Sequence, residues 1–378
     1  MVSNEDGGGA GEPGPDSRYD QITADELVDR LGGARPPMVV DVREPEEFVE
    51  WSITGARNIP MSELGARVAE LDHHREVVVV CARGARSRTV VEALGAAGVP
   101  ALGLLGGMEA WASAYDTALV DLDIAEIVQV RRRGKGCLSY VVGAGDEAFV
   151  VDPSLDTGRY LDVAAQKGWR ITRVFDTHLH ADHVSGARSL AAEVGASLHL
   201  NPADTFAFSF EPLADGQWFE LGPNVHFGVT TFAAPGHTKG STMLEVGGRA
   251  VLTGDTLFVD GVGRPDLAER VEEFAHDLYR SLHTKLLALP ENVLVLPAHY
   301  GDKVEVLAGA PVAATLAALR GSLEQLGWDE PTFVAWAASR ATPRPPNYAE
   351  IIGVNMGRHD LSAEDSLRLE LGPNRCAA

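Results

Sequence analysis

The stretch His178-Leu179-His180-Ala181-Asp182-His183 places three imidazoles and one carboxylate within six residues. This density is unusual in a packed core, whereas imidazole and carboxylate together are typical ligands of transition metals. The apolar run 171–175 that precedes it is typical of a buried strand. The cluster therefore lies where a strand ends in a loop, the position at which a rigid scaffold presents a site. We predict a metal centre here.

Three further candidate ligands follow apolar runs in the same way. They are His237, Asp255 and His299, each shortly after a short run of aliphatic or β-branched residues. Glycine or proline lies beside or near each of them and allows the sharp backbone bends that direct side chains towards one point. Each of the three alone would more often be structural, so it is their shared placement that predicts a role in the centre.

Four motifs in this order, THLHADH (177–183), GHT (236–238), TGDT (253–256) and PAH (297–299), resemble the metallo-β-lactamase superfamily. The resemblance covers residues 126–353. Within the superfamily, THLHADHVSG and TGDTLFVDGVGRPDL are similar to the persulfide dioxygenases, whose relatives include the hydroxyacylglutathione hydrolases. The resemblance implies an αββα sandwich that carries the metal at one edge of its two sheets.

The same resemblance implies one Fe(II) per chain, bound by His178, His237 and Asp255. Two histidines and one carboxylate leave coordination positions open for a substrate sulfur and for O₂. In a dizinc hydrolase the other motif residues would complete a second metal site, and in a dioxygenase they would orient ligands through hydrogen bonds. These residues are His180, Asp182, His183 and His299. Two zinc ions are therefore the alternative cofactor, and the ligand residues alone do not separate the two.

Three residues near these motifs are candidates for substrate binding. Arg264 lies in a glycine-rich segment that is similar to the dioxygenases, and it is a candidate anchor for a substrate carboxylate. A salt bridge between Arg264 and Asp266 would explain the arginine equally well. Tyr300 directly follows His299, whereas some members of the group carry the tyrosine one residue later, so a role for Tyr300 beside the metal stays open.

Residues 19–118 precede the metal domain and alternate strand and helix patterns. Thr23 and Glu26 form a capping box at the start of a helix. Continuous apolar runs at 38–40 and 77–80 are typical of buried parallel strands. The alternation predicts a small α/β domain with a parallel sheet, whose site lies beyond the carboxyl ends of the strands.

Cys81 occupies that position, directly after four valines. Its loop contains Gly84 and three arginines, Arg83, Arg86 and Arg88, and a helix pattern follows. A thiol in this place faces backbone N–H groups at a helix N-terminus, and the arginines add positive charge. Both effects favour the thiolate, so we predict that Cys81 is a nucleophile with a low pKa.

This loop resembles the rhodanese (sulfurtransferase) family, together with Asp41-Val42-Arg43-Glu44 before it and Gly106-Gly107-Met108-Glu109-Ala110-Trp111 after it. Dual-specificity phosphatases space the cysteine and arginine as C-x5-R, whereas Cys81 and Arg86 form the shorter C-x4-R. A smaller loop suits a sulfane sulfur better than a phosphate. The resemblance implies that Cys81 carries a persulfide, while Arg83 and Arg86 stabilise the thiolate and its substrate.

The fusion favours a dioxygenase over a hydrolase, because a rhodanese handles the sulfane sulfur that a persulfide dioxygenase consumes. The implied reaction is the Fe(II)-dependent oxidation of a small thiol persulfide, such as glutathione persulfide, by O₂ to sulfite and thiol in sulfide metabolism. Cys81 would exchange sulfur with thiosulfate or sulfite, in a direction that the sequence leaves open. The alternative is a dizinc hydroxyacylglutathione hydrolase-like thioester hydrolase with an attached sulfurtransferase domain.

The composition limits the partners of the chain. The 378 residues include 54 acidic and 32 basic side chains, a net charge of −22, which should repel nucleic acid and anionic membranes. No apolar stretch approaches the ~20 residues that span a bilayer. The three cysteines form no disulfide framework and the N-terminus has no targeting pattern, so we predict a cytoplasmic protein. A homo-oligomer is compatible with the resemblance.

The predicted organisation has two folded domains of mixed α/β and α+β class. Residues 1–18 are rich in Gly, Pro and acidic residues and are predicted to be a disordered tail. A rhodanese-like parallel-sheet domain at 19–118 is followed by a linker at 119–125. The metallo-β-lactamase-like αββα sandwich then spans 126–353, and a C-terminal segment covers 354–378.

Overall fold

The computed structural model describes residues 20–72, 74–222, 228–265, 270–301, 303–340 and 347–372. The predicted tail 1–18 and the candidate residue Asp266 lie outside these ranges. Within them, no helix is both long enough and apolar enough to cross a bilayer.

The N-terminal domain is built on a parallel sheet with the strand order β1-β5-β4-β2-β3. Its elements are β1 (Gln21–Ile22), α1 (Ala24–Leu31), β2 (Met38–Asp41), α2 (Pro45–Glu50), β3 (Arg57–Asn58), α3 (Leu64–Arg67), β4 (Val77–Val80), α4 (Ala85–Ala96), β5 (Ala101–Leu104) and α5 (Gly107–Trp111). The four valines of β4 are fully buried because apolar clusters cover both faces of the sheet. The predicted parallel-sheet α/β domain is confirmed.

The first sheet of the metal domain has the order β12-β11-β10-β9-β8-β7-β6. Its elements, with the helices between them, are β6 (Tyr115–Asp121), β7 (Glu126–Arg132), β8 (Cys137–Ala144), β9 (Glu147–Val151), α6 (Gly158–Lys167), β10 (Arg170–Phe175), α7 (Ala187–Val194), β11 (Ser197–Leu200) and β12 (Glu211–Pro212). The half from β6 to β9 is antiparallel, and the half from β9 to β12 is parallel.

The second sheet runs β13-β14-β15-β16-β17-β18 and is antiparallel except for the parallel pair β16 and β17. The remaining elements are β13 (Trp218–Glu220), β14 (Gly228–Ala233), β15 (Thr242–Val246), β16 (Ala250–Gly254), α8 (Val271–Thr284), β17 (Leu294–Pro297), β18 (Ala314–Thr315), α9 (Leu316–Ser322), α10 (Glu330–Ser339), α11 (Tyr348–Asn355) and α12 (Ala363–Leu369).

Three apolar clusters show how these layers stack. One joins the facing sides of the two sheets, for example Phe149 and Phe175 with Leu244 and Leu252. A second packs α6 and α7 on the outside of the first sheet, and a third packs α8, α9 and α10 on the outside of the second. Burial of apolar area in these layers is the main stabilising term of the domain. The αββα sandwich implied by the resemblance is confirmed.

The join between the domains differs from the predicted linker 119–125. Strand β6 pairs with β7 along its whole length, from Tyr115 opposite Arg132 to Asp121 opposite Glu126. Only residues 122–125 remain as the turn of this hairpin. The prediction was wrong here because Asp121 and Asp123 give this segment the pattern of a solvated linker, whereas Thr117, Leu119 and Asp121 form the exposed face of an edge strand.

Candidate metal centre

Two histidines and one aspartate meet at one edge of the sandwich. His178 follows β10, His237 follows β14 and Asp255 follows β16. The Nε2 atoms of His178 and His237 lie 3.7 and 3.3 Å from the same oxygen, Asp255 Oδ2. All three side chains are buried, and these three atoms have no hydrogen-bond partner among the described residues. The structure thus brings together the three predicted iron ligands.

The spacing and chemistry of these atoms fit a bound cation. Buried polar atoms without partners are costly, and lone pairs that face one another at this distance repel. Ligands about 2.1 Å from one ion and at right angles to each other are about 3 Å apart, close to the observed separations. Two imidazoles and one carboxylate on one face form the donor set of non-haem ferrous sites.

Hydrogen bonds at the opposite ring nitrogens orient both histidines. The Nδ1 of His237 donates to the carbonyl of Arg264 at 2.9 Å, since a carbonyl oxygen only accepts. The Nδ1 of His178 lies 2.9 Å from the Thr177 hydroxyl, which itself donates to Asp152 Oδ2 at 2.9 Å and therefore accepts from the ring. In both rings Nε2 consequently keeps its lone pair for a metal ion.

The protonation states match this arrangement. Burial lowers the pKa of His178 well below its usual range and also lowers that of His237. Burial alone would raise the pKa of Asp255, but the neighbouring His299 and His237 outweigh it and lower that pKa. Neutral imidazoles and an ionised carboxylate are the forms that bind a divalent cation.

Asp152 supports the loop behind these ligands. Its carboxylate accepts from the backbone N–H and the hydroxyl of Thr177 at 2.7 and 2.9 Å and lies 3.1 Å from His180 Nε2. Asp152 has a φ of 53°, a left-handed conformation that is unfavourable for a residue with a side chain. These contacts hold the strained residue in place. His180 is therefore turned towards Asp152 and Asp176.

A second cluster of potential ligands lies beside the first. His299 Nδ1 is 2.6 Å from Asp255 Oδ1, and His299 Nε2 is 3.0 Å from Asp182 Oδ2. His183 Nδ1 lies 3.2 Å from Asp182 Oδ1, and Cys137 Sγ lies 3.6 Å from Asp182 Oδ2. Burial alone would lower the pKa of His299, but the two carboxylates outweigh it and raise that pKa well above its usual range.

Cys137 was not among the predicted site residues. It begins the apolar strand β8, so its sequence context indicates an ordinary core position. A single β-bridge between Cys137 and His299 brings the thiol to the cluster. This pairing joins residues far apart in the chain, and no local sequence signal reports it.

Asp204 is a second residue that the sequence did not indicate. Its carboxylate accepts from the N–H groups of Leu179 and Gly240 at 3.0 and 2.9 Å and from the Thr238 hydroxyl at 2.9 Å. Leu179 and Thr238 directly follow the two ligand histidines in the chain. Asp204 therefore ties together the two loops that carry these ligands.

Asp204→Asn is expected to weaken metal binding about 10-fold and to lower the free energy of unfolding by about 1–3 kcal/mol. The amide nitrogen cannot accept, so at least one of the three donors loses its partner. Chelator competition and denaturant unfolding measure the two effects. Glu211→Gln, at an exposed position of β12, is the matched control. Wild-type metal affinity in Asp204→Asn would contradict this role.

Two glycines allow the close approach of the loops around Asp255. Gly254 has a φ of 53°, and a side chain there would place Cβ 2.6 Å from the Thr177 hydroxyl oxygen. A Cβ on Gly263 would lie 1.7 Å from the Asp255 carbonyl oxygen. The segment after Asp255 can therefore fold back over it only with glycine at this position.

The predicted substrate-binding residues have different surroundings. The side chain of Arg264 is buried, and its backbone carbonyl holds His237. Tyr300 lines a cleft of about 230 Å³ between the two domains, together with Trp51 and Trp111. Burial raises the pKa of Tyr300 to about 12. Asp266 lies outside the described residues, so the predicted Arg264–Asp266 pair stays a prediction.

Cys81 lies at the carboxyl end of β4, in the loop before α4. Its sulfur accepts from the backbone N–H groups of Gly84 and Ser87 at 3.1 and 3.3 Å and contacts the Ser87 hydroxyl at 3.5 Å. Burial alone would raise the pKa of Cys81, but the hydrogen bonds from Ser87, Arg83 and Gly84 outweigh it and lower that pKa. Ser87 is fully buried and is a site residue that the sequence analysis missed.

The two predicted loop arginines are directed elsewhere. Arg83 pairs with Glu109, and its side chain is 78% exposed. Arg86 forms two hydrogen bonds of 2.9 Å with Glu47. In this structure each guanidinium group is paired with a carboxylate, and backbone N–H groups supply the hydrogen bonds to the Cys81 sulfur. The prediction that Arg83 and Arg86 stabilise the thiolate and its substrate through their charge stays a prediction.

Comparisons with known proteins relate each of the two domains to a protein family. Residues 132–299 match the model of the metallo-beta-lactamase superfamily, and residues 23–114 match that of the rhodanese-like domain. The hydroxyacylglutathione hydrolase of Acidiphilium cryptum is 30% identical over 247 residues, which cover 63% of this chain and 91% of that protein. The chain belongs to the metallo-β-lactamase superfamily. More particularly, it is a natural fusion in which a rhodanese-like domain precedes a metal domain with persulfide dioxygenase homologues.

These homologues include the mitochondrial persulfide dioxygenases ETHE1 of Bos taurus and Homo sapiens. They are 33% and 31% identical over 174 and 165 residues, or 44% and 43% of this chain. The chain spans 65% and 63% of their lengths, slightly less than two thirds. The crystal structure of ETHE1 from Myxococcus xanthus is 26% identical, with a TM-score of 0.54, and the match covers 62% of this chain and 99% of that one.

Proposed function

We propose that this protein is an Fe(II)-dependent persulfide dioxygenase whose rhodanese-like domain exchanges sulfur through a Cys81 persulfide. The observation that carries the proposal is the convergence of His178 Nε2, His237 Nε2 and Asp255 Oδ2, three buried atoms to which the described residues offer no hydrogen-bond partner. The named relatives of the metal domain support the same reaction class.

The overall reaction consumes one persulfide, one O₂ and one water and yields a thiol and sulfurous acid. A ferrous ion bound at this face would supply the electrons that make O₂ reactive and would offer an open position to a soft sulfur ligand. The chain itself contributes orientation, since Arg264 and Thr177 set the ring directions of His237 and His178.

The contacts of Asp255 leave one of its two oxygens for the metal ion of the proposal. Asp255 Oδ1 lies 2.6 Å from His299 Nδ1, so Oδ2 is the oxygen that remains for a metal ion. His299 in turn lies between Asp255 and Asp182: its Nδ1 contacts Asp255 Oδ1, whereas its Nε2 lies 3.0 Å from Asp182 Oδ2 without a hydrogen bond to any of the described residues. In the proposal His299 supports Asp255 through its Nδ1, and Asp182 and His183 lie beside His299.

Cys81 supplies the group-transfer half of the proposal. As a thiolate it attacks the outer sulfur of thiosulfate and releases sulfite, which leaves a cysteine persulfide; an acceptor thiolate then takes that sulfur and becomes the substrate of the metal site. The reverse sequence makes thiosulfate from sulfite. The N–H groups of Gly84 and Ser87 lie around the sulfur and stabilise its negative charge in either direction.

Oxygen-electrode assays with glutathione persulfide, combined with metal analysis, test the proposal. We expect O₂ uptake, sulfite release and about one iron per chain. The dizinc thioester hydrolase is the second candidate, since the Acidiphilium relative carries the hydroxyacylglutathione hydrolase name. Two zinc ions per chain, thioester hydrolysis and no O₂ uptake by the iron-loaded protein would overturn the dioxygenase proposal.

A further inference from the structure

We propose that the C-terminal segment 347–372 is a positioning element of the metal centre, and that Asn355 and Glu370 are its positioning residues. The predicted organisation placed residues 354–378 in a C-terminal segment outside the metal domain. The inference rests on the metal site of the proposed function, but it is independent of the reaction that the bound ion performs.

The loop 180–185, which carries His180, Asp182 and His183, lies outside helices and strands apart from a single bridge at Ser185. Buried backbone groups need hydrogen-bond partners, and an irregular loop cannot supply them from its own ladder. The loop must therefore take partners from another part of the molecule. These partners come from the C-terminal segment.

Asn355, the last residue of α11, spans this loop with one amide group. Its Nδ2 donates to the carbonyls of His180 and His183 at 2.9 and 2.8 Å, and its Oδ1 accepts from the Ser185 N–H at 2.9 Å. The orientation of the amide follows from its partners, because carbonyls only accept and a backbone N–H only donates. One side chain thus fixes three backbone positions around the second half of the motif.

Glu370 holds the backbone of Val184, the residue between His183 and Ser185. Its carboxylate accepts from the Val184 N–H and from Arg132 Nη1, the latter at 2.6 Å, and its backbone carbonyl accepts from Lys135 Nζ at 2.8 Å. The Glu370 and Arg132 side chains are 1% and 3% exposed. A buried charge pair of this kind is costly to break, because each partner would leave an unpaired charge behind.

The loop transmits this constraint to the metal ligands on two sides. His180 contacts the Asp152 carboxylate, which orients the first ligand histidine through a threonine hydroxyl. Asp182 contacts His299, whose ring lies against Asp255. A shift of the loop backbone would therefore displace supports of two of the three ligands, although Asn355 and Glu370 touch none of them.

Asn355 is the better residue to test, because Arg132, the partner of Glu370, also donates to Ala112 of the N-terminal domain. Asn355→Asp keeps the acceptor for the Ser185 N–H but removes both N–H donors and places a carboxylate against two carbonyls. Asn355→Ala removes all three bonds. Glu350→Gln, at an exposed position of the same helix, is the matched control.

The proteins are loaded with Co²⁺ as a spectroscopic probe. We expect both Asn355 variants to lose Co²⁺ to a chelator about 10-fold more readily and to show a changed visible Co²⁺ spectrum. Glu350→Gln should match the wild type in both. The circular dichroism spectrum of each metal-free protein should be unchanged, which separates loosened ligand geometry from unfolding.

An unchanged Co²⁺ spectrum and unchanged metal retention in both Asn355 variants would overturn the proposal. So would loss of the folded circular dichroism spectrum in both, since Asn355 would then have a structural role only. Failure of O₂ uptake in the wild type, with these Co²⁺ effects intact, would instead overturn the proposed reaction and leave the positioning role standing.

Discussion

Asp255→Ala is expected to abolish both iron retention and O₂ uptake. The variant removes the only anionic ligand of the predicted face, so iron content should fall from about one per chain to near zero and activity by at least ~100-fold. It also removes the contact that holds His299 Nδ1 at 2.6 Å. Metal analysis and oxygen-electrode assays measure the two losses, and sulfur transfer by Cys81 should be retained.

Asp182→Ala is the companion variant that separates one metal ion from two. Asp182 contacts His299, His183 and Cys137 but belongs to the neighbouring cluster. With a single ion at the first cluster, Asp182→Ala keeps about one iron per chain and loses activity only in part, through a less constrained His299. A wild type with two ions per chain that falls to one in Asp182→Ala would contradict the mononuclear assignment.

Cys81→Ser is expected to abolish sulfur transfer, by at least ~1000-fold, while O₂ uptake with preformed persulfide stays near the wild-type rate. A hydroxyl in this loop is a much weaker nucleophile at neutral pH than a thiol whose pKa its surroundings lower. A serine also cannot store the transferred sulfur as a persulfide. Thiosulfate–cyanide sulfur transfer and the oxygen electrode measure the two activities separately.

Thr89→Ala is the matched control for Cys81→Ser. Thr89 is exposed on α4, one turn beyond the Cys81 loop, and its hydroxyl lies 3.5 Å from the carbonyl oxygen of Ala85. Both activities should match the wild type in this variant. Equal loss of both activities in Cys81→Ser would show that the two domains do not act as separate sites.

The sequence predicted the site residues that lie next to a recognisable strand in the chain. His178 and Asp255 lie within three residues of the end of an apolar strand, and Cys81 directly follows four valines, so strand ends can be predicted from local periodicity. The αββα architecture came from the resemblance of the motifs rather than from composition. The strand β6 escaped prediction because residues 119–125 place Asp121 and Asp123 among apolar residues, a pattern that suits a solvated linker as well as an edge strand.

Residues that support the ligands could not be predicted in this way. Asn355 is separated from its partner His180 by 175 positions, and Glu370 from Val184 by 186. An asparagine at the end of one helix and a glutamate after another have ordinary local explanations as surface residues. Their roles arise only when distant segments pack together and bury the backbone of one loop.

The amino-acid sequence alone determined the chemistry of both sites: which donor atoms are present, that they stand at strand ends, and that a cysteine faces a helix N-terminus. These properties are local, since they depend on side-chain type and on short-range periodicity. The tertiary structure decided which ring nitrogens face the metal, that Arg83 and Arg86 pair with carboxylates, and that Asp204 and Asn355 hold the loops. These properties depend on hydrogen bonds between distant segments, and such bonds exist only in the packed chain.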